Sequence, residues 1–238
     1  HGHDAGEEVS DEAADVAARL GAWGRESKAL FAQAREPERM ATAVITLHRR
    51  VDEALAATIA GHHVPIACSR GCAYCCSLRV QVQPYEAFRL AAWLRRNFDA
   101  PRIARVIERL RANVEKTRAL GEERRKRTNV PCSLLGDDGA CTAYEARPAQ
   151  CRRYHSQSVD PCKAFHADPA NDAIESGMHE AVAHNADVII TQGRLAARDA
   201  GLDDTSVDMN VALLEALENP KAYRRWKDGK KAFTAGGS

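Results

Sequence analysis

A chain of 238 residues and 26.0 kDa is long enough to bury a core without metal or disulfide staples. Its 34 basic and 33 acidic side chains leave a net charge of +1, which argues against general polyanion binding, so nucleic acid is not an expected partner. Aromatic residues make up only 5%, against a β-sandwich or a base-stacking sheet, and no apolar run approaches the roughly 18 residues that span a bilayer, so no membrane partner is expected.

The terminal His1-Gly2-His3 reads as a tag or processed end that captures copper or nickel adventitiously, and it is set aside. Met40, Val44, Leu47, Val51, Leu55 and Ile59 recur at steps of three or four and predict a helix, which Gly61-His62-His63-Val64-Pro65 ends. Pro84 opens a second helix carrying Phe88, Ala91, Ala92 and Leu94. Pro101 opens a third, through Ile103, Val106, Ile107, Leu110 and Val114, to about Arg127. Asp168-Pro169 reads as the N-cap and first turn of a helix through Ile174, Met178, Val182 and Ile189, and a last helix covers Val207 to Leu217. Between them, Asn129 to His166 holds three prolines, two glycines and four cysteines, and a loop this long inside a compact chain needs something other than a core to order it. The expected fold is mainly α, with five or six helices around an irregular, metal-stapled Cys-rich segment. Its parts are an N-terminal helical segment 1–61, a Cys-rich metal-binding domain 62–167 with inserted helices, and C-terminal helices 168–238 packing on the same domain.

All eight cysteines fall between Cys68 and Cys162. Cys68, Cys72, Cys75 and Cys76 follow the pattern C-x3-C-x2-C-C, while Cys132, Cys141, Cys151 and Cys162 are separated by eight, nine and ten residues. Thiolates two or three residues apart converge on one cation when a tight turn aims them inward, a turn Gly71 permits, and Leu135 to Ala140 reads as a reversal returning Cys141 toward Cys132. The alternative is a disulfide framework, but such scaffolds are small secreted domains, and the adjacent pair Cys75-Cys76 bridges to itself only with strain. Sulfur ligation suits zinc, iron–sulfur clusters and copper(I), and the spacing leaves these three open. A compact multinuclear zinc cluster with bridging sulfurs carries less net negative charge than two separate four-thiolate sites, and both arrangements stay open.

These cysteines, with Pro131-Cys132 and the string Cys141-Thr-Ala-Tyr144-Glu145-Ala-Arg147-Pro148-Ala-Gln-Cys151-Arg152, resemble the bacterial YkgJ-like zinc- or iron-chelating family, also called CxxCxxCC proteins. The resemblance runs from Cys68 to Cys162 and leaves the flanks aside. It implies a metal site built from Cys68, Cys72, Cys75, Cys76, Cys132, Cys141, Cys151 and Cys162, with no settled reaction. The flagellin lysine-N-methylases look like distant relatives with an iron–sulfur cluster, which keeps an enzyme reading open.

Around the cysteines, Pro148 pushes Arg147 out of the α region, and Arg147 and Arg152 are expected near the thiolates, offsetting their charge, the alternative being that Glu145 and Arg147 merely pair on the surface. His155 and His166 are candidates for an open coordination position. His179 and His184 are five residues apart and do not share a helix face, so a zinc-protease motif fails. Walker, dinucleotide and nucleophile-elbow motifs are missing from the sequence. Two functional readings remain: a cytoplasmic protein binding zinc or iron with a structural, metal-handling or protein-docking role, or an iron–sulfur or metal-dependent enzyme performing redox or group-transfer chemistry.

Overall fold

The structure, a computed structural model, describes the backbone of residues 5–234 and the side chains from residue 18 onward; His1, Gly2 and His3 lie outside the described residues. In chain order the helices are α1 (Ala5–Phe31), α2 (Pro37–Gly61), α3 (Pro84–Asn97), α4 (Ala100–Thr117), α5 (Glu122–Lys126) and α6 (Ala149–Arg153). There follow α7 (Asp160–Ala167), α8 (Glu180–Asp199), α9 (Met209–Glu218) and α10 (Pro220–Lys227). The described chain is 62% helix and 3% strand, a mainly α fold.

The apolar stripe of α2 buries Met40, Val44, Leu47, Val51 and Leu55, and it packs with α1 and α8 as one group of helices. Gly193 makes the contact between α2 and α8 close, since a Cβ there would sit 2.6 Å from Leu47 Cδ2. A second group is formed by α3, α4 and α9, and α3 also packs on α2. Phe88, Tyr223, Trp226 and Phe233 form an aromatic knot where α3 meets the C-terminal end, with Trp226 fully buried. Two short strands, β1 (Gln81–Val82) and β2 (Val207–Asp208), pair antiparallel, with Gln81 opposite Asp208 and Val82 opposite Val207. They tie the chain just after the first cysteine cluster to the entry of α9.

Three expectations are corrected. The helix opened near Pro101 does not run to Arg127: α4 stops at Thr117, whose Oγ1 bonds back to the carbonyl of Asn113, and α5 begins after Gly121. The break lets Arg125 turn inward, its side chain buried, to the half-buried Asp208 at 3.1 Å, while Lys126 pairs with Glu123 and Arg127 with Asp172. No helix starts at Asp168-Pro169: Asp168 is the C-cap of α7, and α8 begins only at Glu180. The intervening chain is held by local side-chain turns, Asn171 Oδ1 accepting from Ala173 N at 3.0 Å, and by Gln157 N donating to Gly177 O at 2.9 Å. There are ten α-helices among the described residues rather than five or six, because the 129–166 segment carries α6 and α7 and the C-terminus adds α10 behind Pro220.

One buried polar pair joins the two helical groups. His48 on α2 donates from Nε2 to Glu86 Oε1 on α3 at 2.9 Å, and Glu86 also accepts from Ala149 N at 2.7 Å and from Gln83 N at 3.1 Å. Burial holds His48 below its usual pKa, so it stays neutral. For Glu86 burial acts to raise the pKa, but the three hydrogen bonds outweigh it and leave the carboxyl lowered. Unfolding frees both groups to take up protons near their ordinary values of 6.5 and 4.5, so the unfolded state binds more protons as pH falls. Stability of the metal-free protein should therefore decline from about pH 6.5 downward, and Glu86→Leu, which strands three donors, should cost about 3–5 kcal/mol. Denaturant unfolding between pH 4 and 8 checks both; a variant as stable as the parent would contradict the pair's role.

Candidate metal centre

The chain leaving α2 is drawn onto the second cysteine segment by backbone hydrogen bonds. Ala67 N donates to Ser156 O at 2.9 Å, and Cys72 N closes a turn on Ser69 O at 3.1 Å, with Gly71 at a φ of +86° supplying the left-handed position. A short 3₁₀ turn, Tyr74–Ser77, then presents Cys75 and Cys76. Val130 N donates to Ser77 O at 3.0 Å and Cys132 N to Cys76 O at 2.8 Å, which lays the start of the second segment beside that turn.

The reversal after Cys132 forms as the sequence suggests: Leu135 and Cys141 form an isolated bridge, and Gly136 N donates to Ala140 O at 2.8 Å. Its tip, Gly139, has a φ of +72°, and a Cβ there would lie 2.9 Å from Gly71 O. The two cysteine-bearing turns thus meet glycine against glycine, and Arg70 with Asp138, 3.1 Å apart and exposed, flank the contact. Cys151 sits on α6, which Pro148 caps after forcing Arg147 into an extended ψ of 140°. Cys162 sits on α7, whose first turn carries Pro161 and which packs on the Tyr74–Ser77 turn.

These elements sort the cysteines by surroundings. Cys68, Cys72, Cys75 and Cys162 line a cavity of about 260 Å³ whose other walls include Tyr74, Leu78, Tyr154, Phe165, Ile174 and Met178. Cys132, Cys141 and Cys151 instead pack against the hydrophobic core. Cys75 and Cys76, adjacent on their turn, join the two sets: Cys76 opposes the ionisation of Cys75, and Cys75 in turn acts electrostatically on Cys68 as well as on Cys132, Cys141 and Cys151. All eight thiols are free, Cys68 exposed and the others half-buried. Among the described residues no three His, Cys, Asp or Glu side chains are closed into a metal-holding geometry.

Their electrostatics describe a site that resists ionisation by itself. Burial pushes Cys132 up to about 11, and it drives Cys151 well above the ordinary thiol value and raises Cys141 and Cys68. Cys75 is raised by its hydrogen bond with Cys76, then by burial. Among these neighbours the opposing charge comes from Arg147, which acts on Cys75 and Cys141 and lies 4.0 Å over the Tyr144 ring. Arg152 is placed differently from the thiol-facing expectation: it pairs with Asp52 and donates to Arg147 O at 3.0 Å and to Glu145 O at 2.6 Å, tying α6 to α2. A cation would reverse this balance, since thiols ionise when a metal accepts their lone pairs, and a donor set of eight sulfurs suits zinc or iron.

Of the two histidine candidates, His155 has both ring nitrogens engaged. His155 Nδ1 meets Arg153 O at 3.0 Å and its Nε2 accepts from His179 N at 3.0 Å, while His166 packs edge-on against Tyr74. Two contributors were not singled out in the sequence. Glu86 anchors the N-terminus of α6, two residues before Cys151, through Ala149 N; the Gln83-x-x-Glu86 capping pattern is visible in the sequence, its reach to α6 is not. Ile174 and Met178, read as a helix stripe, are cavity walls.

A helical scaffold presenting eight free thiols from one continuous segment defines a thiol-rich metal-binding domain. Residues 67–172 match the model of the CxxCxxCC family, described as a putative zinc- or iron-chelating domain. No curated protein and no solved structure matches the chain. The family match ends beyond Cys162, taking in the start of the turn-rich stretch before α8.

The glycine contact yields a direct test. Gly139→Ala forces a side chain into a left-handed position against Gly71 O and should cost about 1–3 kcal/mol. It should also lower bound metal by separating the two turns. Gly61→Ala, with nothing within 4 Å of the new Cβ, is the control and should change neither. Thermal melts and metal analysis of the two variants decide; equal metal content in both would remove the contact from the site.

Proposed function

We propose that this protein binds zinc or iron through Cys68, Cys72, Cys75, Cys76, Cys132, Cys141, Cys151 and Cys162, and that its task is metal handling, structural stapling or docking of a protein partner. One observation carries the reading: eight free thiols of a single segment, four on one cavity wall and three against the core, are joined through the adjacent Cys75 and Cys76. The family's zinc- or iron-chelating description supports it. In this reading segments 1–61 and 168–238 are the scaffold, 62–167 is the metal-binding domain, and the sulfurs of Cys75 and Cys76 are suited to bridge metals in a multinuclear cluster. A reducing compartment such as the cytoplasm suits thiols kept free for metal. No helix among the described residues is long and apolar enough to cross a membrane.

A second reading, an iron–sulfur or metal-dependent enzyme, draws support from the cavity, because a pocket beside ligating sulfurs gives a substrate access to the metal.

Metal analysis of protein purified with and without oxygen tests the first reading. Zinc or iron should be present in both Cys72→Ser and Cys141→Ser at reduced stoichiometry relative to the parent, and the parent's thiols should react with a thiol reagent only after chelation. Full stoichiometry in both variants would overturn the shared site. Colourless zinc protein favours the binding role, whereas brown protein absorbing near about 400 nm favours the iron–sulfur enzyme.

Hydrogen exchange resolved by segment tests the division between scaffold and stapled loop. Chelation should leave α2, α3, α8 and α9 protected, while residues 129–166 lose protection. Unchanged exchange across 129–166 would mean that packing alone orders that segment.

A further inference from the structure

We infer that the cavity between α4 and the 133–142 reversal binds a small organic molecule carrying anionic oxygen groups, phosphate or carboxylate, at two points along its length. The inference goes beyond the metal-binding reading, and no cysteine supplies a contact that it uses.

One wall of this cavity is a row of arginines. Arg102, Arg105 and Arg109 of α4 line it at helical steps of three and four, which keeps them on one face. At about 1.5 Å of rise per residue the row extends over roughly 10 Å. Arg70 reaches the cavity from the first cysteine turn, and Asp137 and Asp138 from the facing reversal. Arg70 and Asp138 offset each other at 3.1 Å, which leaves the exposed Asp137 against three arginines. Elsewhere along α4 arginines find carboxylates, Arg111 pairing with Glu218 and Arg118, at the C-cap, with Glu115. The three that face the cavity pair with no carboxylate among the described residues. The guanidinium of Arg102 lies over the buried Phe98 ring, 3.6 Å from its centre, a contact that positions the group and uses none of its N–H donors. Arg109 Nη1 donates to Leu135 O at 3.0 Å, which draws that side chain across to the reversal and leaves its other donors free. Like charges three and four residues apart on a helix repel one another, a cost that an anion between them removes.

The cavity sets the class of ligand. Its volume of about 650 Å³ is that of a small-molecule site rather than of a single inorganic ion. Guanidinium groups present paired N–H donors that match the oxygens of a carboxylate or a phosphate, so the charged ends of the ligand belong to one of these two groups. A row of this length is served better by two anionic groups joined by a carbon chain than by one compact anion. Val106, Leu135 and Phe98 supply apolar surface for that chain between the charged ends.

The test is equilibrium dialysis of the full-length protein as purified, at one fixed ionic strength, because exposed charge pairing is screened by salt. The probes are fructose 1,6-bisphosphate and adipate, which carry phosphates or carboxylates at both ends of a chain of matching length; the tighter of the two identifies the anionic group. At least one should bind saturably, one molecule per chain. Its one-ended counterpart, fructose 6-phosphate or hexanoate, should need at least tenfold more. Arg105→Ala removes an exposed side chain that makes no contact in the fold, so it should keep the parent's melting temperature and metal content and bind the probe at least tenfold more weakly. Arg118→Ala, with the same change of charge at the far end of α4, should bind it like the parent. Absence of saturable binding by both probes, equal binding of one-ended and two-ended ligands, unchanged binding in Arg105→Ala, or an equal loss in Arg118→Ala would each overturn the inference.

Discussion

The cysteine region depends on one backbone connection, the lateral stitch in which Val130 and Cys132 donate to the carbonyls of Ser77 and Cys76. It joins segments more than fifty residues apart in sequence, and without it the two cysteine groups would belong to separate loops. The stitch is possible because β1 follows the first cluster directly and pairs with β2, pinning residues 77–82 to the C-terminal helices. From the other side, Glu86 fixes α6 and Arg125 fixes α5, each by reaching across to a different part of the fold. Sulfur placement is thus a consequence of helix packing transmitted through a few polar contacts.

That scaffold holds Cys68, Cys75, Cys132, Cys141 and Cys151 in surroundings that oppose their ionisation. Burial raises Cys132, Cys141 and Cys151, and mutual proximity raises Cys75 further, with Arg147 the counter-charge acting on Cys75 and Cys141. Several thiolates at this spacing in a low dielectric repel one another, so the anionic cluster requires a multivalent cation. Zinc and iron supply charge and directional bonds to sulfur together, which no arginine does. The chelating character of the domain follows from the same electrostatics that keep the free thiols neutral.

Much of this was legible in the sequence. The α2 stripe, Pro84 at the head of α3, the Gly71 turn and the reversal between Cys132 and Cys141 are local features, and local features leave patterns in composition and spacing. The cysteine pattern singled out the metal-binding segment before any geometry. The misread stretches are those where distant partners decide. Asp168-Pro169 looks like a helix start because an acidic residue before proline usually is one, yet Asp168 closes α7, and Gly177 is held against Ser156. The apparent helix stripe of Ile174 and Met178 was real burial in another form, the wall of a cavity. Likewise the break after α4 lets Arg125 reach Asp208, a partner that no window of neighbouring residues reveals.

The loop between Asn129 and His166 shows how scaffold and metal divide the work. It contributes Val130, Leu134, Ala143, Ala146 and Ala149 to the interior, small or medium side chains that fix its path without forming a core of their own. Their burial contributes on the order of 1 to 3 kcal/mol each at most, against roughly 1–2 kcal/mol of backbone entropy for every residue ordered. Packing therefore sets where this segment runs. Under the proposed function, a metal bound by its four cysteines would close that deficit with a binding free energy on the order of 10 kcal/mol. The helices on either side need no such contribution, because Val44, Leu47, Leu90, Leu94, Ile189 and Leu213 are already buried against one another. Under the proposed function, a domain built this way would gain or lose metal without unfolding its scaffold.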